Sequence, residues 1–373
     1  MNKERRTDGV KVLRQLPVKP EETQRTRGWP RICDDVIEAI GCTPLIRLHD
    51  FVGGDAPSSY VKFEGMNPGG SIKDRSAREM LASLESDGTI RRGSMLIVST
   101  SGNMGVSLAL QCAKRGYKLI AVVDPKIAKS NEKILRIFGA TVAKATTIDV
   151  HGGYHLSRIE MVQQLKRAHP EATVIDQYDS PANVQAHYRT TAAEMHAALS
   201  NQLSLVVAAA GTGGTLMGIA RYFKEHAPHV SIWAVDEYGS LALPTNTVAA
   251  PRFLNGMGTS IRPANYDYAH FHQYVHRCWY VTAEEAITAA IQLARKEGIL
   301  TGGSGGAVAH VLRNIVPPVF GPDAHVVGIL PDHGSRYVDE FFSEEWLAQR
   351  SIGVPIDGPA TAIEEAAGRG GRA

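Results

Sequence analysis

The chain has 373 residues, with 40 Lys and Arg against 38 Asp and Glu, and 43% of it is hydrophobic and 21% charged. Those proportions exclude a wholly disordered, collagenous or coiled-coil chain, and the length can bury a sizeable core in two domains. A net charge of +2 leaves no electrostatic footprint for nucleic acid or an anionic membrane, and four cysteines without a CxxC pair make neither a disulfide framework nor a zinc cluster.

Residues 1–29 are polar and charged without a period, and are expected to form a flexible arm. The start, MNKERRTDGVKVLRQ, has no apolar stretch of a secretory signal, and no run reaches the roughly 18 apolar residues of a membrane span, so a cytoplasmic protein is expected. Strand-like runs follow at Ser59–Phe63, Met95–Ser99, Leu119–Val123, Thr141–Ala145, Thr173–Asp176, Leu203–Ala209, Ile232–Asp236 and His325–Leu330. Helix-like segments alternate with them at Ser76–Ser86, Val106–Arg115, Asn131–Phe138, His155–Ala168, Pro181–Leu199, Leu216–Glu225, Ala283–Glu297 and Ala307–Ile315. The strands read as continuous apolar runs, as parallel strands covered on both faces do, and the alternation predicts an α/β fold with two open, mostly parallel sheets flanked by helices. The Gly-, Ala- and Pro-rich tail, 351–373, is expected to be loose.

Ligands of such sheets sit beyond the carboxyl ends of the strands. Four loops there stand out: Asn67-Pro-Gly-Gly-Ser-Ile-Lys73-Asp-Arg75, Ser99-Thr-Ser-Gly-Asn-Met-Gly105, Gly211-Thr-Gly-Gly-Thr215 and Thr301-Gly-Gly-Ser-Gly-Gly306. The Gly211 loop, set before a helix, suits a phosphate cradle or a tight turn; it is neither a GxGxxG fingerprint nor a P-loop. Lys73 is a Schiff-base candidate or one more solvated Lys. Thr100, Ser101 and Asn103 offer donors to a carboxylate or phenolate oxygen, or cap the helix that follows. Together, a lysine, a phosphate cradle, an amide and a hydroxyl are what pyridoxal 5′-phosphate needs.

Gly41-Cys-Thr-Pro-Leu45, NPGGSIKDR, TSGNMG, GTGGT and GGSGGA stand in the order and spacing of the cysteine synthase / cystathionine β-synthase family, which the chain resembles from about Ile32 to Tyr337. The resemblance implies the fold type II of pyridoxal phosphate enzymes. It implies a large cofactor-binding domain of residues 30–75 and 186–350, a smaller mobile substrate domain of 76–185, and an active site between them. It makes Lys73 the lysine that carries the cofactor and takes the substrate's α-proton, and Asn103 the partner of the ring oxygen. Gly211, Thr212, Gly213, Gly214 and Thr215 become the phosphate loop and Ser304 the partner of the pyridine nitrogen. Thr100, Ser101, Gly102 and Gln177 (in DQYDSPAN) become binders of the substrate carboxylate, and Gly256 opens the glycine-rich stretch opposite the substrate. The implied chemistry is β-replacement on an O-activated L-serine through an α-aminoacrylate.

Several departures bear on the substrate. Met104 replaces a hydroxyl residue, Asp124-Pro125-Lys126 replaces the usual Met-Pro, and the late element Pro331-Asp-His-Gly-Ser335-Arg-Tyr337 has Ser335 for an acidic residue. Related branches use O-phosphoserine with bulkier sulfur nucleophiles or with an amino acid's amine. The expectation is O-phosphoserine or O-acetylserine, the first ahead of the second, with sulfide or thiosulfate, giving L-cysteine or S-sulfocysteine. The alternative is an amine nucleophile, giving a 2,3-diaminopropionate-type product. Arg262, and less so Arg252 and Arg336, are candidates for the leaving phosphate. Family members are usually homodimers and bind the tail of serine acetyltransferase. The pairs His151/His155 and His226/His229 lack further ligands at metal spacing, and no metal or haem is expected. The rivals are a dehydratase of the same fold, which typically carries SSGNHAQG in place of TSGNMGVS, and a regulatory partner protein.

Overall fold

The computed structural model describes residues 32–148, 154–246 and 248–356. By contacts the chain divides into residues 1–34 and 35–373, and the second unit is the one described below. The expected arm, most of the tail and His151 lie outside the described residues.

Ten strands in the described residues form two sheets: β1 Leu45–Arg47, β2 Ser58–Phe63, β3 Met95–Ser99, β4 Lys118–Val123, β5 Thr141–Lys144, β6 Thr173–Ile175, β7 Leu203–Ala209, β8 Ser231–Glu237, β9 Arg277–Val281 and β10 His325–Leu330. The larger sheet has the order β1-β2-β10-β7-β8-β9, and the smaller β5-β4-β3-β6. Only the β1–β2 pair is antiparallel. The last strand is central: Val327 of β10 pairs with Tyr60 of β2 on one side and Val206 of β7 on the other.

The helices are α1 Lys73–Ser86, α2 Asn103–Arg115, α3 Lys129–Ile137, α4 His155–Ala168, α5 Pro181–Ala186, α6 Ala193–Leu199, α7 Gly214–His226, α8 Ala283–Glu297, α9 Gly303–Asn314 and α10 Glu344–Ala348. On one face of the larger sheet, Val207, Trp233 and Val235 pack with Ile287 of α8 and Val308 and Leu312 of α9. On the other, Val206, Ala208 and Ile232 pack with Met217 and Phe223 of α7. The smaller sheet is covered likewise, by Leu81 of α1 and Leu108 of α2 on one face and Val162 of α4 on the other. Burial on both faces is why these strands lack alternation. Each buried Val, Ile, Leu, Met or Phe among them contributes about 1.5–3 kcal/mol, which outweighs the modest strand propensity of Leu.

Three differences from the sequence reading have physical causes. β1 and β9 are partly exposed end strands of their sheet, so they carry no buried apolar run. Helices α1, α2 and α9 begin at Lys73, Asn103 and Gly303, inside segments read as loops, so the chemistry-bearing residues occupy first helical turns. The single helix expected over 181–199 is broken by a π-helical turn, His187–Ala192. There the Thr190 hydroxyl donates to the Ala186 carbonyl at 2.6 Å and competes with the backbone amide for it.

Candidate active site

Loops from both sheets converge on one cavity of about 360 Å³. It opens past the carboxyl ends of β3 (Thr100 to Asn103), β4 (Asp124, Lys126), β6 (Gln177, Tyr178), β7 (Gly211 to Gly213) and β10 (Pro331, Asp332), the position expected of ligands in open α/β sheets.

Lys73 opens α1 and lines this cavity. Its loop is clamped from both sides. The Ile72 amide donates to the Pro331 carbonyl at 2.7 Å, Ser71 bridges Asp332, and the Gly69 amide donates to the Asp74 carboxylate. Beneath, Arg75 is fully buried and forks onto Glu64 and Glu194, with Thr43 bonded to Glu64 at 2.6 Å. The GCTPL segment therefore supports the lysine loop rather than lining the cavity. Loss of water around the Lys73 amine pushes its pKa down from 10.5 to about 8, with the Asp332 carboxylate opposing.

Thr100, Ser101, Gly102 and Asn103 all face the cavity. Ser101 Oγ donates to Asp124 at 2.8 Å and accepts from Arg158 at 3.0 Å, and Arg158 pairs with Asp124 at 3.0 Å. Asn103 Nδ2 donates to Asp332 Oδ2 at 2.7 Å, and its Oδ1 accepts from Arg336, whose guanidinium also donates to the Gly69 carbonyl. The buried Asp332 carboxylate accepts in addition from the Tyr337 hydroxyl and the Gly302 amide, and burial raises its pKa.

Gly211, Thr212, Gly213 and Thr215 line the cavity, but Gly214 does not. It faces Asn183, where a Cβ would fall 2.2 Å from Oδ1. Two asparagines tie this loop to the end of β6. Asn183 Nδ2 donates to the Gln177 carbonyl at 2.8 Å and to Thr212 Oγ1 at 3.2 Å, and Asn265 Nδ2 donates to the Gln177 and Thr212 carbonyls, both at 2.8 Å. Ser304, in the first turn of α9, is fully buried, and its Oγ has no hydrogen-bond partner among the described residues. Gly256, at φ +85°, leaves its approach open, since a Cβ there would fall 3.1 Å from that oxygen.

Three arginine candidates separate. Arg252 lines the cavity. Arg262, the favoured candidate, is outside its lining, with its guanidinium 5.4 Å over the ring of Tyr268. Arg336 is committed to Asn103 and Gly69. Arg158 was not singled out from the sequence, because only the fold brings α4 to the strand ends, and Asp124 and Asp332 stood in quoted segments without a role of their own. Asn183 likewise stands in the quoted DQYDSPAN segment. Among the described residues no group of His, Cys, Asp and Glu is arranged to hold a metal, and no helix is long and apolar enough to cross a membrane.

The lining fits pyridoxal 5′-phosphate. An amine of lowered pKa, a glycine loop opening a helix, and an orphaned buried hydroxyl behind a glycine are the contacts that its aldehyde, phosphate and ring nitrogen require. The fold and site are those of a pyridoxal-phosphate enzyme of fold type II. A family model described as pyridoxal-phosphate dependent enzyme matches residues 36–332, and the chain belongs to that family. It is 36% identical over 318 residues to an N-(2-amino-2-carboxyethyl)-L-glutamate synthase of Ralstonia nicotianae, covering 85% of this chain and 92% of that one. Among solved structures, O-ureido-L-serine synthase superposes with a TM-score of 0.78 at 28% identity, covering 89% of this chain and 99% of that one. A hydrogen sulfide-producing enzyme of Fusobacterium nucleatum superposes at 0.75 and 30% identity, covering 82% and 100%.

Proposed function

We propose that the chain catalyses β-replacement on an O-activated L-serine, with an amine as nucleophile and a 2,3-diaminopropionate-type amino acid as product. The observation that carries the reading is the gathering of the Lys73 amine with Lys126, Arg158 and Arg252 around one cavity. Lys126 and Arg252, with Arg158 beside its partner Asp124, suit an anionic leaving group and an anionic amino-acid nucleophile. The Ralstonia relative is named for a product with an aminocarboxyethyl group on the nitrogen of glutamate, which favours an amine over the sulfur nucleophile expected from the motifs. Sulfur is the second reading, and the likeness to a hydrogen sulfide-producing enzyme favours it.

When bound, pyridoxal phosphate supplies an electron sink for the substrate's α-carbon. The first amides of α7 and the Gly211–Thr215 loop would hold its phosphate, and the unpartnered Ser304 Oγ would serve its ring nitrogen. Lys73, whose burial lowers its pKa to about 8, would hold the aldehyde, and its amine would be the base for the substrate's α-proton. Thr100, Ser101 and Gln177 hold the substrate carboxylate, and residues 76–185 close over it as the smaller domain. Arg158 and Arg252 receive the departing oxygen group.

The test is product analysis by mass spectrometry. The holoenzyme is given O-phospho-L-serine or O-acetyl-L-serine, each with L-glutamate, sulfide or thiosulfate. Fastest formation of the amine-linked product is expected. Cysteine or S-sulfocysteine without it moves the assignment to sulfur, and no product from any pair sinks the β-replacement reading.

A further inference from the structure

His187 is 0% exposed and opens the π-helical turn. It belongs to none of the motifs above. Its Nε2 lies 3.0 Å from the Ser76 hydroxyl and 3.3 Å from the Thr215 hydroxyl, and its Nδ1 lies 3.0 Å from Thr191 Oγ1. Ser76 is in the first turn of α1, which begins with Lys73, and Thr215 closes the glycine loop that opens α7. One imidazole thus touches both the element that carries the amine and the loop that faces the phosphate. Burial, with Lys73 and Arg75 nearby, holds its pKa well below the ordinary histidine value, so the ring is neutral. A neutral ring has one acceptor nitrogen. Nε2 faces two hydroxyls and Nδ1 one, and each hydroxyl can donate or accept, so in either tautomer the ring ties Ser76 and Thr215 to Thr191. Helix α7 packs directly on the turn, and a Cβ on Gly218 would fall 2.8 Å from His187 Cβ and 2.4 Å from the Val184 carbonyl.

We propose that His187 is a positioning residue that sets the span between Lys73 and the Gly211–Thr215 loop, so that a rigid cofactor is gripped at both ends at once; this rests on the assignment of that loop to the cofactor's phosphate. A second anchor adds full affinity only where the first already places it. The quantity that reports the span is therefore the preference for pyridoxal phosphate over pyridoxal, which lacks the phosphate. Neither the affinity for pyridoxal nor general stability reports it.

The experiment measures dissociation constants of both compounds for the refilled apoprotein, with thermal unfolding of the apoprotein alongside. His187→Phe keeps a ring but removes both nitrogens, and should cut the preference roughly tenfold, the effect of one lost buried hydrogen bond. His187→Gln, which restores an acceptor, should recover most of it. Gly211→Asp is the control for the loop assignment, since the nearest atom to a Cβ there is 3.8 Å away and the added carboxylate would face the phosphate. If Gly211→Asp lowers the preference and His187→Phe does not, the proposal is overturned. If neither lowers it, the loop assignment itself fails. Should His187→Phe not fold, Ser76→Ala cuts the same link from the α1 side. A smaller fall in the preference supports the proposal, and an unchanged preference with a lowered unfolding temperature shows a structural role only.

Discussion

Asn103 and Asp332 stand 229 residues apart in the chain, and their side chains meet at 2.7 Å, Nδ2 donating to Oδ2. The first opens the helix after β3 of the smaller sheet and the second follows β10 of the larger one, so this bond, with that from Arg336 to Asn103, links the two across the cavity. The same carboxylate holds up the pKa of Lys73 against desolvation.

Asp332→Asn should therefore lower the Lys73 pKa further below about 8, because the opposing charge is gone. The rate at which the apoprotein captures pyridoxal phosphate, followed against pH, should begin to rise at lower pH than in the parent. An identical profile would show that the carboxylate does not act on the amine.

Lys73 also makes apoprotein stability depend on pH. Its folded pKa, about 8, lies below the unfolded 10.5, so the unfolded chain binds more protons between these values and stability rises with pH across that window. Below pH 8 the buried cation costs roughly 3 kcal/mol as an upper bound. Lys73→Met should be more stable than the parent at pH 7, with the difference shrinking toward pH 10.5. Urea unfolding at both pH values checks this.

Glu237 behaves with the opposite sign. It is buried and accepts from the Phe253 amide at 2.6 Å and the Leu254 amide at 3.2 Å, which fixes the segment from Arg252 to Gly258 along the cavity wall. Burial raises its pKa from 4.5 to about 7, so its contribution is present below pH 4.5 and is lost as pH rises through 7. Glu237→Gln keeps an acceptor without the charge. It should flatten the stability profile between pH 4.5 and 7 and leave the protein more stable than the parent at pH 8.

Arg158 bridges Ser101 and Asp124 beside the cavity. Arg158→Met should raise the KM for O-phospho-L-serine by about tenfold or more, the effect of losing a charge-assisted hydrogen bond, and should change O-acetyl-L-serine less. Equal losses for both esters would assign the arginine to holding the Ser101 loop instead.

Gly218→Ala tests the packing under the π-helical turn. The added methyl would meet the Val184 carbonyl at 2.4 Å, with backbone on both sides. A loss of about 1–3 kcal/mol of stability is expected from chemical denaturation.

Most of the fold was legible because buried parallel strands leave continuous apolar runs, as at Leu203–Ala209 and His325–Leu330, whose bounds the structure reproduces. What escaped lacks such a signal. β1 spans only three residues, and the π-helical turn depends on where the Thr190 hydroxyl points. At the site, glycine-rich loops announced themselves by composition. His187 did not, and Asp332 only as part of the late element, because a single acid or histidine acquires its role only from what the fold sets against it. Arg262 shows the converse: it follows the GMGTS stretch in the chain, yet its guanidinium lies over Tyr268 and outside the cavity.

The place of β10 has a consequence for synthesis. The smaller sheet is built from a continuous stretch, Met95 to Ile175, whereas the larger needs His325–Leu330 between β2 and β7. As the chain leaves the ribosome, the smaller sheet can assemble while β2 and β7 wait with open edges for a strand made some 120 residues after β7. Until the ribosome releases that strand, Lys73 has no Pro331 beside its loop and Asn103 no Asp332. The cofactor site is therefore among the last parts of the molecule to exist, and a nascent chain truncated before His325 should carry a folded smaller sheet and bind no pyridoxal phosphate.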